Sequence, residues 1–209
     1  MIDNEVLIKG GHVVDPATGL DGPADIFIKD GKIKTVSNDI KPNNHTRVID
    51  ATSRYVIPGL IDCHVHLREP GLEYKETIET GSRAAAVGGY TTLICEPNTL
   101  PPIDSLEMVA SFMERVNQKG VVNIYTKACI TKGLLGEELR DIAKLATDKR
   151  VRALSDDGNP VFYESLMKRA CELAAQNKLI ISPHCEDSQI SLDKAKTNTN
   201  VAHFPGKSF

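Results

Sequence analysis

From residue 60 onward, short apolar runs alternate with helix-forming stretches, and this alternation limits the fold more than any other feature of the chain. The apolar runs are 60–66, 91–95, 121–125, 151–155 and 179–184. Between them lie helix signals. Residues 76–88 carry Ala84-Ala85-Ala86 and a Gly88-Gly89 stop, and Asp104-Ser105-x-Glu107 opens a segment that ends near Gly120. Residues 137–148 and 164–176 read as two more helices. Near-continuous apolar strands alternating with helices predict a parallel sheet with helices outside. About five βα units fit between 60 and 184, and the last 20 residues carry no clear element signal.

The first 56 residues have a different rhythm. Residues 25–36 alternate apolar and polar positions around Asp30-Gly31, a strong hairpin signal. Residues 5–15 read as strand, Gly10-Gly11 break, strand. The stretch 38–46, with Pro42-Asn43-Asn44, reads as a surface loop, and 47–51 as one more strand. Alternation predicts a small antiparallel sheet with one wet face. The expected organisation is a β-rich segment at 1–56 and an α/β domain at 57–209.

Composition removes several function classes. With 41% hydrophobic and 25% charged residues, the chain is not wholly disordered. A net charge of −3 does not suit a phosphate-neutralising nucleic-acid binder. No apolar stretch approaches the ~18 residues of a membrane span, and the acidic N-terminus does not read as a secretory signal. The five cysteines are odd in number and lack CxxC spacing, so reduced thiols in a cytoplasmic protein are expected.

Polar clusters fall at the C-terminal ends of the predicted strands: His64-Val65-His66, Glu96-Pro97-Asn98-Thr99, Asp156-Asp157-Gly158 and His184-Cys185-Glu186-Asp187. Barrels and open α/β sheets place their sites at these ends. His64 and His66, two apart on a strand, point to one face. Side-by-side imidazoles in an apolar strand are costly unless they bind something. Asp157 and His184 at the same level complete a donor set suited to Zn²⁺. Arg68, two residues past His66, either overhangs the same mouth or forms a surface ion pair with Glu69. Asp156 is expected to cap or orient the loop before Gly158. Glu186 and Asp187 read equally as partners of His184 or as a helix start. His12, His45 and His203 are expected to be ordinary surface residues, and Cys63, Cys95 and Cys129 to pack as small apolar ones.

The run Pro58-Gly59-Leu60-Ile61-Asp62-Cys63-His64-Val65-His66-Leu67-Arg68-Glu69-Pro70-Gly71 resembles the signature of dihydroorotases, within the amidohydrolase superfamily. The likeness continues through Gly88-Gly89-Tyr90-Thr91-Thr92, Glu96-Pro97-Asn98-Thr99, Ser155-Asp156-Asp157-Gly158 and His184-Cys185-Glu186-Asp187. It implies a (β/α)8 TIM barrel with an appended β-sandwich. It also implies zinc-dependent interconversion of L-dihydroorotate and N-carbamoyl-L-aspartate in pyrimidine synthesis. By the same resemblance His64, His66, Asp157 and His184 hold one or two zinc ions, and Arg68 and Asn98 hold the substrate carboxylate. Arg68 favours dihydroorotase over hydantoinases and allantoinases. The small-molecule substrate is the expected partner. A homodimer stays open, as does a non-catalytic role beside aspartate transcarbamoylase.

A barrel of this type takes eight strands and typically ~250 residues, whereas five strands are counted before Phe209. The resemblance places a further metal-binding His on the sixth strand and the proton-shuttling Asp on the eighth. Neither has a counterpart here, and the surroundings of His203 do not match. The catalytic base is therefore unassigned. The chain is expected to be the N-terminal part of the usual chain, with an incomplete barrel, weak binding of at most one zinc ion and little activity alone.

Overall fold

The computed structural model describes residues 5–161 and 163–186. The expectations placed on Asp187 and His203 lie outside the described residues. Contacts divide the chain into two units, Met1–Gly59 and Leu60–Phe209.

The first unit is one five-stranded sheet. Strands β1 (Glu5–Asp15), β2 (Leu20–Lys29) and β3 (Lys32–Ser37) pair antiparallel in sequence. The β2–β3 turn has Asp30 at φ 52° and Gly31 at φ 69°, the two positive values a tight Asp-Gly hairpin needs. Two expectations are corrected. The Gly10-Gly11 pair does not split β1; it shifts the register between Ile8 and Gly11. Gly10, at φ 74°, donates its N–H to buried Asp25 (2.8 Å), so a side chain takes over where the ladder slips. The sheet is also mixed: β4 (Arg47–Asp50) and β5 (Tyr55–Val56) run parallel to β1. The loop at 38–46 is long enough to return the chain to the same end, a point that periodicity does not encode.

The second unit contains the βα alternation. Strands β6 (Leu60–Val65), β7 (Tyr90–Cys95), β8 (Asn123–Ala128), β9 (Val151–Leu154) and β10 (Ile180–Ile181) are all parallel. Their spatial order is the sequence order. With no reversal point, this is the winding of a barrel arc and not of a doubly wound sheet. Helix α1 (Ile78–Val87) starts at a capping box between Thr77 and Thr80, and α2 (Leu106–Lys119) at Ser105, whose hydroxyl accepts from Met108 N. Their apolar faces, with α4 (Glu164–Gln176), meet alternate strand residues such as Leu93, Cys95, Ile124 and Leu154 in one core around fully buried Phe112.

The expected helix at 137–148 shrinks to α3 (Ile142–Leu145), preceded by a 3₁₀ turn at Lys132–Leu134. Gly133 and Gly136 adopt positive φ, and Lys132 N and Arg140 N donate to Glu138 O and Ile130 O. The segment thus satisfies its backbone as a folded-back loop. Strand β10 also stops early, because Pro183 has no N–H to continue the ladder. Among the described residues no helix is long and apolar enough to cross a membrane.

The other sheet face lines a cavity of about 420 Å³ whose walls include Cys63, Ile94, Tyr125 and Lys127. Cys63 is therefore exposed, not packed as expected, whereas Cys95 and Cys129 are buried. Burial pushes the Cys95 thiol up to about 12 and Cys129 well above the ordinary range. Since the thiolate is the reactive form, a disulfide reagent at pH 8 should modify exposed Cys63, Cys171 and Cys185 rapidly, and Cys95 and Cys129 only on unfolding. Mass-mapped labelling that finds Cys95 early would contradict this packing.

Two glycines separate backbone strain from packing. Gly71 and Gly89 both have positive φ, but a Cβ on Gly71 meets Leu100 O at 2.0 Å, whereas one on Gly89 meets nothing within 4 Å. Gly89→Ala should cost about 1–2 kcal/mol of left-handed strain, and Gly71→Ala clearly more. Denaturant unfolding of the two variants would show equal losses if packing were irrelevant.

Candidate metal centre

The parallel, sequential sheet brings the C-terminal ends of β6, β7, β9 and β10 to one side. His64 lies near the end of β6 and His66 just beyond it. Their rings meet edge to face with centroids 5.2 Å apart, as residues two apart on one strand should. Asp62 Oδ1 accepts from His64 N at 2.9 Å and fixes the local backbone. Asp157 follows β9 and His184 follows β10. One donor atom each from His64, His66 and Asp157 lie within 4.8 Å of one another.

Asp157 is the common neighbour. Its Oδ1 is 3.8 Å from His64 Nε2 and 3.5 Å from His184 Nδ1, and its Oδ2 is 3.5 Å from His66 Nε2. The second nitrogen of each ring faces a different oxygen. His66 Nδ1 is 3.1 Å from Asn98 Oδ1, His184 Nε2 is 2.8 Å from Glu186 Oε2, and His64 Nδ1 is 3.2 Å from Glu96 Oε1. Metal-bound imidazoles characteristically donate their other N–H to such oxygens, which fixes tautomer and ring orientation. The arrangement therefore suits a divalent cation, with His64, His66 and Asp157 as the compact donor group and His184 beside it.

Asn98 follows β7. Its amide donates to Asp157 Oδ2 (2.9 Å) and Asp157 O (3.2 Å), while its oxygen faces His66. Arg68 Nη1 donates to the same oxygen at 3.5 Å, so Arg68 belongs to this mouth. The surface Arg68–Glu69 pair is not formed. Glu69 is buried and accepts from Lys119 Nζ and from Ile78 N (3.2 Å), with Arg115 Nη1 at 3.5 Å.

Asp156 points away from the donors. It is buried and accepts from Ile130 N (2.8 Å) and from the Thr131 N–H and hydroxyl. It thus holds the loop after β8, not the one before Gly158. Burial raises its pKa despite these bonds. Of the two readings of Glu186, the structure gives the partner of His184. His45 is exposed, and His12 Nε2 pairs with Asp21 Oδ1 at 2.6 Å on the first unit.

Sequence reasoning missed Lys127. It is 2% exposed and donates to Glu96 Oε1 and to Ser182 Oγ (2.9 Å). The expected strand ends at 125, two residues short of Lys127, whereas β8 runs to Ala128 and buries the ammonium, which then needs a carboxylate partner.

Fold and donor set together define a βα-barrel segment with a histidine–carboxylate cluster at its strand ends that could hold a metal ion. Comparison with known proteins agrees: the dihydro-orotase-like family profile matches residues 53–208. The chain belongs to that family. It is 46% identical to dihydroorotase of Acetivibrio thermocellus over 186 residues, 89% of this chain and 43% of that protein. To dihydroorotase of Aquifex aeolicus it is 42% identical, over 90% of this chain and 44% of the relative. The chain thus spans less than half the length of these curated relatives. The fold resembles L-hydantoinase (dihydropyrimidinase) from Arthrobacter aurescens, with a TM-score of 0.78 and 22% identity over 93% of this chain and 44% of that one. It also resembles D-hydantoinase (dihydropyrimidinase) from a Thermus species, with a TM-score of 0.70 and 24% identity over 92% and 43%.

Asp157→Asn should weaken binding of a divalent metal by more than tenfold, because it removes the one oxygen pair facing all three imidazoles. His12→Ala should leave binding unchanged. Titration against a chromophoric chelator distinguishes the two, and parent-like binding by Asp157→Asn would remove Asp157 from the centre.

Proposed function

We propose that the chain carries the metal- and substrate-holding part of a zinc-dependent dihydroorotase. The reaction is the reversible hydrolysis of the L-dihydroorotate ring to N-carbamoyl-L-aspartate. The observation that carries this reading is the Asp157 carboxylate faced by three imidazoles, with the Arg68 guanidinium joined to the same cluster through Asn98.

His64, His66 and Asp157 would hold the ion, with His184 at its side. A zinc ion there supplies Lewis acidity toward an amide carbonyl and makes water a better nucleophile near neutral pH. The chain's own residues do the rest. Asn98 ties His66 to Asp157, so the donors move as one group. Arg68 offers guanidinium N–H groups beside that cluster, the geometry needed to grip a carboxylate bidentately and fix the ring over the centre. Placing the substrate carboxylate on Arg68 and Asn98 leaves the cyclic amide to face the histidines.

A neutral-ring substrate, as for a hydantoinase, has no carboxylate for Arg68. The intact set of four proposed ligands weighs against a purely structural companion of aspartate transcarbamoylase.

The test is binding of N-carbamoyl-L-aspartate to the zinc-loaded chain by calorimetry. Arg68→Met should weaken it roughly 10- to 100-fold, the scale of a charge-assisted bond at about 1.5–3 kcal/mol. Binding of a neutral hydantoin should change little. If Arg68→Met affects both ligands equally, the carboxylate assignment falls.

A further inference from the structure

Beneath His64 lies a buried polar group that the proposed reaction does not use. The Glu96 side chain is 0% exposed and its partner Lys127 2%. Oε1 takes the Lys127 ammonium and stands 3.2 Å from His64 Nδ1. Oε2, equally buried, has no hydrogen-bond partner among the described residues. An unsatisfied buried carboxylate oxygen costs more than an ordinary lost bond. His64 Nδ1 faces the other oxygen, Oε1, so an Nδ1–H there would share with Lys127 in stabilising a carboxylate charge that Oε2 leaves without a donor.

The placement also has direction. His64 stands between two carboxylates, Glu96 on its Nδ1 side and Asp157 on its Nε2 side, the latter 3.8 Å away. If Nδ1 carries the proton toward Glu96, the Nε2 lone pair must face Asp157, as a metal ligand requires. Lys127 comes from β8, and Ser182, which accepts from the same ammonium, lies just past β10. Glu96 is therefore braced from two other parts of the sheet.

Resting on the metal-centre reading above, we infer that Glu96 is a positioning residue, which holds His64 in the Nδ1–H tautomer with Nε2 toward Asp157, and that Lys127 and Ser182 fix Glu96 in place. The buried ion pair sets the affinity of the centre through His64 and touches neither metal nor substrate.

The experiment uses the full 209-residue chain, the double variant E96M/K127M and the single variant E96Q. Replacing both members of a buried ion pair with apolar side chains of similar volume commonly preserves folding. Imidazole ¹⁵N spectra of metal-free protein read the His64 tautomer, and Zn²⁺ titration against a chromophoric chelator reads affinity. The parent should show one tautomer, protonated on Nδ1. The double variant should show a mixture and bind Zn²⁺ 10- to 100-fold more weakly. E96Q keeps an acceptor oxygen, so it should retain the tautomer and lose affinity only several-fold.

A folded double variant that keeps either the parent tautomer or the parent affinity overturns the inference. If the double variant does not fold, E96Q decides, and parent-like affinity in E96Q overturns it as well. A parent that binds no Zn²⁺ while its His64 tautomer still depends on Glu96 instead refutes the metal reading and leaves the hold on His64 standing.

Discussion

One carboxylate sets the terms for the second unit's polar end. Asp157 has two oxygens, and three imidazole nitrogens from two other strand ends converge on them. At 3.5–3.8 Å these approaches do not by themselves fix three rings. Each ring is also held at its other nitrogen, by Glu96, Asn98 or Glu186. An oxygen at one nitrogen of each imidazole restricts its rotation and leaves the other nitrogen toward Asp157, so the group is largely preorganised and an ion bound there would cost less to hold.

That convergence depends on the sheet being sequential. Because β6 to β10 lie in chain order, the residues after β7 stand between those after β6 and those nearer β9. Asn98 can then reach His66 on one side and Asp157 on the other. In a doubly wound sheet the same motifs would be dealt to opposite edges. Strand order is thus the link between the alternating pattern of the sequence and the chemistry of its ends.

Much of this was legible in the residues, for identifiable reasons. The HxH pair, Asp157 and His184 are polar groups at the ends of apolar strands, and such groups declare themselves by their cost. The five strands were legible because both faces of a parallel strand are covered or lined by side chains, so the runs are nearly all apolar. Two kinds of information were hidden. Periodicity reports which face a residue takes but not which neighbour its strand chooses, hence the parallel pairing of β4 and β5 with β1. It also overstates helix where glycines divert the backbone, as Gly133 and Gly136 do ahead of α3. Lys127 was hidden differently: its partner Glu96 is 31 positions away, in the polar cluster that ends another strand.

Two of the buried carboxylates, Glu96 and Glu69, show how the unit tolerates strain where its chemistry lies. Arg68 has φ 57°, a conformation costing about 1–2 kcal/mol for a residue with a Cβ. Such a residue persists only where its surroundings over-determine it. The next residue supplies that constraint: Glu69 is buried, paired with Lys119 and Arg115 of α2, and bonded to the first N–H of α1. The loop is thereby fastened to two helices. Arg68 is turned back to the mouth, where it meets Asn98. Glu96 does for the imidazole of His64 what Glu69 does for the backbone of Arg68. In both cases a buried charge beside a strand end bears on where a neighbouring functional group points.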